Sequence, residues 1–397
     1  MPGPLDGYTV LDLSQVVSGP LAAMLFADQG ADVIKVEPLA GAGDMTRLPA
    51  FAKGGLSAFY LNNNRGKRSI ALDLTTDEGK AALLDIASQV DVIIQNFRPG
   101  ADERVGLGYE RVKAINPGVV YCSISGFGPT GPLSGRPVLD PVIQGLTGMV
   151  SRQLNPMVPF PDLVRNLIAD KSTALTATQA ITAALLVKEK TGQGQHVEIP
   201  MLDACMYFFW PDGMMDKTLT DDDASGGFLL ADVYSLSEAS DGKFVYFAAS
   251  DGQRNALYEA AGLPHLTEDE RYNSMAAMTN PENFQAVGEM LAAAFLTKTV
   301  DELLTALVAN DVPCGPILDA DQALAHEQLN HNATIAQWEH PLAGTVQQPV
   351  PAARFSETPA SIAASGSLKG ADTEEVLAQF GKSADDIAAL RAAGAIS

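Results

Sequence analysis

Asp170 stands immediately before a long apolar-rich stretch that predicts a helix from about Lys171 to Lys190. Free backbone N–H groups and the positive dipole end at such a start favour a carboxylate. They would also stabilise negative charge developing on a reacting carbonyl oxygen. Asp is equally one of the commonest helix caps, and position alone favours that simpler role. Two other chemistries are poorly supplied. The five histidines (His196, His265, His326, His331, His340) are scattered and read as surface residues, and no metal site is expected. Cys122, Cys205 and Cys314 lie far apart without a CxxC pair, as suits a reducing cytosol.

The elements that must position Asp170 read as α/β. Tyr8–Leu13, Asp32–Glu37, Ser69–Leu74, Asp91–Phe97 and Val119–Ser125 are strand-like apolar runs. Helices are predicted between them, at Gly19–Gln29, Thr76–Ser88 and Tyr109–Ile115. That alternation implies a parallel sheet with right-handed crossovers. A helix is expected near Pro141–Ser151, a strand at Val197–Ile199 and a short buried helix at Leu202–Phe209. Phe208, Phe209 and Trp210 hint at an apolar pocket, although aromatic residues after a helix are more often core. Thr218–Gly227 reads as a linker, and Asp241-Gly242 as a hairpin turn ahead of Ala/Leu/Glu-rich helices running to about Asn310. The last sixty or so residues look extended until a helix near Glu374–Phe380. The expected organisation is a large Rossmann-like domain over residues 1–217, a smaller α+β domain over 218–330, and a C-terminal segment, 331–397, returning to the large domain. Glu37 at the end of the second strand invites a dinucleotide reading. The loop Ser14–Pro20 carries a single glycine, however, and lacks the GxGxxG pattern that lets a pyrophosphate lie on the backbone.

Several motifs occur together and in order: SQVVSGPLAAMLFADQGADVIKVE (14–37), GDMTR (43–47), NNNRGKRSIALDL (62–74), DVIIQNFRPGADERVGLGY (91–109), CSISGFGPTGP (122–132), PVLDPVIQGLTGM (137–149) and LIADKSTAL (167–175). With them the chain resembles the class III coenzyme A transferases over nearly its whole length. The resemblance implies two ring-like chains interlocked as a homodimer, each with a Rossmann-like domain and a small domain. It implies an acyl-CoA:carboxylate CoA-transferase in which Asp170 forms a covalent anhydride and then a thioester. Asp140 matches an acidic position beside the active site. Leu72, Asn96, Phe97 and Val105 match positions along the adenosine and pantetheine path, Arg104 matches a phosphate- or adenine-side contact, and Arg98 adds charge. CoA thioester is the substrate, with no tightly bound cofactor.

Two departures bear on specificity. Formyl-CoA transferases carry a substrate-directed glutamine where this chain has Val17, and Gln15 lies two residues earlier. They also have a glycine run that closes over the site, for which Gly226 and Gly227 are the counterparts here. In 2-methylacyl-CoA racemases a histidine precedes the aspartate matching Asp140, but this chain has Leu139. Racemisation needs a proton acceptor on each face of the α-carbon. A racemase or lyase on the same scaffold, or a non-catalytic CoA-ester-binding protein, are the alternatives.

Composition narrows the classes further. A net charge of −22 argues against nucleic acid as a partner. The acidic excess is concentrated after residue 140, so an anionic ligand would meet least repulsion on the N-terminal part. No signal segment or long apolar run is visible, and a cytoplasmic protein without a membrane partner is expected.

Overall fold

The structure is a computed structural model that describes residues 3–48, 51–153, 161–221, 229–234, 236–362 and 366–397. It forms two compact units, one of Met1–Ser225 with Ala333–Ser397 and the other of Gly226–Asn332.

The first unit is built on β1 (Thr9–Asp12), α1 (Ser18–Asp28), β2 (Asp32–Pro38), α2 (Ala58–Asn64), β3 (Lys67–Leu72), α3 (Asp77–Ala87), β4 (Val92–Gln95), α4 (Tyr109–Ile115), β5 (Val120–Ser125), α5 (Asp140–Leu146), α6 (Ile168–Thr191), β6 (His196–Pro200) and α7 (Met201–Gly213). The strands make a six-stranded sheet in the order β3-β2-β1-β4-β5-β6. Every pair is parallel. Parallel strands are covered on both faces, which is why they read as near-continuous apolar runs. Val10, Val33, Val92 and Val120 pack on one side with Phe26, Ile181 and Cys205. Their strand neighbours Leu11, Ile34, Ile93 and Tyr121 pack on the other with Leu83, Ile86, Leu377 and Leu390. In this strand order the chain turns from one half of the sheet to the other between β1 and β4. Ligands of open α/β sheets bind in the crevice beyond the strand ends at that switch.

The second unit has a three-stranded antiparallel sheet, with β8 (Lys243–Tyr246) between β7 (Ser237–Glu238) and β9 (Cys314–Pro316). Helices α8 (Asp251–Ala261), α9 (Pro281–Phe295) and α10 (Val300–Val308) enclose Phe244, Tyr258, Leu291, Phe295 and Leu303 with it. Thr299 and Glu302 form a capping box at the start of α10.

Some sequence expectations change. Helix α6 begins at Ile168, so Asp170 is its third residue; the cap is Leu167, whose side chain makes no capping bond. Helix α7 runs on to Gly213, with Phe209 buried but Tyr207 81% exposed. The C-terminal stretch is extended up to its expected helix, α11 (Thr373–Gln379), with its first part paired as a hairpin of β10 (Ile335–His340) and β11 (Gly344–Pro349). A second helix, α12 (Ala384–Ala392), was not expected and packs with α11 on the second face of the sheet. His340 is buried rather than superficial: its Nδ1 accepts the N–H groups of Leu342 and Ala343, both at 3.1 Å, and so shapes the hairpin turn. Among the described residues, no helix is long and apolar enough to cross a membrane.

Candidate active site

Two helices begin at the same place. Helix α1 starts at Ser18, helix α6 at Ile168, and the two pack against each other. Asp170, 6% exposed, sits in the first turn of α6. Ser18 hydrogen-bonds its carboxyl with both hydroxyl and backbone N–H, so the positive ends of two helices face one carboxylate. Burial nevertheless dominates, the charge of Asp140 adds to it, and the Asp170 carboxyl is pushed up to about 6. At neutral pH it is still mostly ionised, and more basic than an ordinary aspartate.

Asp140, fully buried at the start of α5, braces this arrangement. Its Oδ2 accepts the backbone N–H of Asp170 at 2.9 Å, and its Oδ1 accepts from Gln144 Nε2 at 2.6 Å. Gln144 in turn accepts the N–H of Val164 at 2.9 Å and donates to its carbonyl at 3.1 Å. Asp140 therefore fixes the backbone under Asp170 and keeps negative charge beside it.

The loop from β1 to α1 is held just as firmly. The backbone N–H of Gln15 donates to Asn96 Oδ1 at 2.9 Å, and Asn96 Nδ2 returns a bond to the Gln15 carbonyl at 2.7 Å. This ties the loops after β1 and β4 together at the switch point. Val16 takes φ +73°, a left-handed conformation costly for a β-branched residue, of order 1–3 kcal/mol. Such strain persists only where surroundings over-determine it, and here a buried ionic cluster does so. Lys35 Nζ donates to the Ser14 carbonyl and pairs with Asp44, each at 2.9 Å. Lys67 Nζ donates to the Pro20 carbonyl at 2.8 Å and pairs with Asp12 at 2.7 Å. Asp44 Oδ1 also accepts the Val16 N–H at 3.3 Å. Burial alone would raise the Asp12 carboxyl, but Lys67 and Lys35 outweigh it and hold it below its usual value. Lys67 itself is lowered to about 8 by burial, against the pull of Asp12.

A cavity of about 440 Å³ opens over Asp170, lined also by Gln15, Val16, Ser18, Asn96, Phe97, Arg98, Arg136, Leu139 and Met201. An adjoining apolar cleft of about 250 Å³ is lined by Leu72, Phe97, Val105, Pro38 and Leu39. Gln15 and Phe97 line both spaces, making one track from the cleft to Asp170. Of the residues singled out in the sequence, Gln15, Leu72, Asn96, Phe97, Arg98, Val105 and Asp170 lie along this track. Arg104 is exposed at the end of a one-turn helix, Ala101–Arg104, directly before Val105. Val17 is buried and lines neither space, so it does not stand at the entrance; its neighbours Val16 and Ser18 line the cavity instead. Gly226 and Gly227 lie outside the described residues. Phe208, Phe209 and Trp210 do not line the cavity, and Met201 supplies its apolar wall from α7. Sequence reasoning missed Val16, Ser18, Arg136 and Gln144; the Ser-Gly-Pro start of α1 was the available signal for Ser18.

No histidine lines either space. His196 stacks on Tyr109 at 4.7 Å between ring centres and meets Ser123 Oγ at 2.8 Å, a packing role. Among the described residues, no cluster of three or more His, Cys, Asp or Glu is disposed to hold a metal ion.

Residues 5–373 match the family described as CoA-transferase family III. The human succinyl-CoA:glutarate CoA-transferase is 32% identical over 380 residues, spanning 94% of this chain and 85% of that protein. A formyl-CoA:oxalate CoA-transferase of Streptomyces avermitilis is 30% identical over 417 residues, 99% of each chain. Among solved structures, a CaiB/BaiF family protein from Brucella suis superposes with a TM-score of 0.82 at 30% identity, covering 96% of this chain and all of that one.

Proposed function

The chain belongs to CoA-transferase family III, and from that membership we propose that it moves CoA from an acyl-CoA thioester to a free dicarboxylic acid through a covalent intermediate on Asp170. The observation that carries the mechanism is a buried carboxylate, raised to about 6, at two converging helix starts and at the inner end of a track with an apolar cleft. The ionised Asp170 attacks the thioester carbonyl; the C–S bond breaks, an aspartyl-acyl anhydride forms and CoA thiolate leaves. The thiolate attacks the aspartyl carbonyl of the anhydride, releasing the donor acid and leaving an aspartyl-CoA thioester. The incoming acid displaces CoA through a second anhydride, whose acyl carbonyl the thiolate then takes, regenerating Asp170. Ser18, hydrogen-bonded to the resting carboxyl, is disposed to hold the oxygen that gains charge at each attack.

Leu72, Phe97 and Val105 would take the apolar parts of CoA, and Arg104 and Arg98 its phosphates. Asp140 acts through Asp170 rather than on substrate. The relatives named above act on glutarate and oxalate, both dicarboxylic acids, and this supports the acceptor class. Leu139 on the cavity wall, where a racemase has a histidine, favours transfer over α-proton chemistry. An interlocked homodimer in the cytoplasm completes the reading. Tyr207, Phe208 and Trp210, exposed along α7, support a further protein surface against this unit.

The test is direct. Purified protein is incubated with succinyl-CoA and a panel of free acids, and CoA esters are separated by chromatography and weighed. A new CoA ester formed together with free succinate is expected for at least one dicarboxylic acid. Epimerised or hydrolysed acyl-CoA without transfer to any acid would sink the reading.

A further inference from the structure

Two arginines line the cavity over Asp170, Arg98 and Arg136, and among the described residues neither guanidinium has a hydrogen-bond or ion-pair partner. They come from different sides. Arg98 follows Phe97, the residue shared with the apolar cleft, and so stands where the track turns toward the rest of CoA. Arg136 belongs to the segment between β5 and α5 that ends at Asp140, the brace of Asp170. The charge acting on Asp170 is that of Asp140, with no arginine beside it, so Arg136 is not spent on the nucleophile.

CoA brings its negative charge at the nucleotide end and is neutral along the pantetheine arm and at the thioester. Arg136 is exposed at the cavity, so its guanidinium is free to meet an anion brought there by the acyl group or by the acid. We propose that Arg136 is the specificity residue that binds the distal carboxylate of a dicarboxylic acyl group or acceptor, while the proximal carboxyl reacts at Asp170. This rests on the transferase reading given above. Arg suits the task because its fork matches a carboxylate bidentately and it carries charge at every working pH. A charged hydrogen-bonded contact of this kind is worth about 10- to 100-fold in discrimination.

The experiment compares wild type with Arg136→Gln and Arg136→Lys, using succinyl-CoA or butyryl-CoA as donor and matched acceptors, glutarate against valerate and succinate against butyrate. Wild type is expected to favour each diacid over its monoacid. Arg136→Gln should cost about 10- to 100-fold in kcat/KM for diacids and leave transfer between monoacids within about threefold, with Arg136→Lys recovering part of the loss. Equal losses for both acid classes, or no loss for either, would overturn the assignment. Wild-type protein that moves CoA to none of the acids would instead overturn the transferase reading itself.

Discussion

Asp170→Asn is expected to abolish CoA transfer, lowering kcat by about 10⁴-fold or more, because the amide cannot form the anhydride. The same substitution should make the protein more stable. An unfolded aspartate ionises near pH 3.8, whereas Asp170 in the folded chain holds its proton up to about 6. Between those values the folded state binds the proton more tightly. Above about 6 the buried charge is a full penalty on folding, absent when the group is neutral. A shift of this size corresponds to roughly 1–3 kcal/mol, and thermal unfolding at pH 7 should rise by a few degrees in the Asn variant. At pH 4 the gain should shrink, since wild type is then neutral there too. Wild-type turnover should fall as pH is lowered through about 6, where the nucleophile takes up its proton. A variant that lost activity while also losing stability at pH 7 would point to a structural role for Asp170 in the first turn of α6.

The second large effect lies beneath the site. Lys35→Met leaves Asp44 without its 2.9 Å cation and the Ser14 carbonyl without its donor, both fully buried. Removing one partner of a buried ion pair costs about 3–5 kcal/mol, since the remaining charge is left uncompensated. That magnitude outweighs the strain of about 1–3 kcal/mol at Val16, so the loop is expected to relax away from its left-handed turn. Ser18 would then lose its place against Asp170, and kcat should fall even under conditions where the variant stays folded. Denaturant unfolding and turnover of Lys35→Met measure both effects. Unchanged stability would mean that water or another cation already satisfies Asp44.

The contrast between these two residues shows what a sequence exposes. The strands of the parallel sheet were legible because burial on both faces leaves runs such as Val92–Gln95 without alternation. Asp170 was legible as a carboxylate at a helix start, and the motif around it supplied a role that spacing alone did not. Its raised proton affinity was not legible, because that depends on burial under elements distant in the chain and on the charge of Asp140, which arrives from α5, while Ser18 from α1 opposes both. Lys35 was read only as a strand residue and Lys67 only as part of a motif ahead of the expected strand, since nothing local tells a buried lysine from one that reaches solvent. Helix α2 escaped because its Leu-Asn-Asn-Asn end is polar, yet Asn64 is buried, with its Oδ1 accepting from Lys67 at 2.8 Å. Helix α12 escaped for a related reason: Ala and Asp dominate it, and only Ile387 and Leu390 are buried. Arg136 carried no motif of its own, and its position on the cavity follows from the path of the loop between β5 and α5.

The central claim is that Asp170 becomes covalently acylated. It is tested most directly by incubating wild type and Asp170→Asn with acyl-CoA donors, quenching with hydroxylamine and mapping modified peptides by mass. The expected result is a donor-dependent hydroxamate on Asp170 in wild type and none in the variant. Transfer of CoA by wild type with no modification at Asp170, or a hydroxamate on another carboxylate, would contradict it.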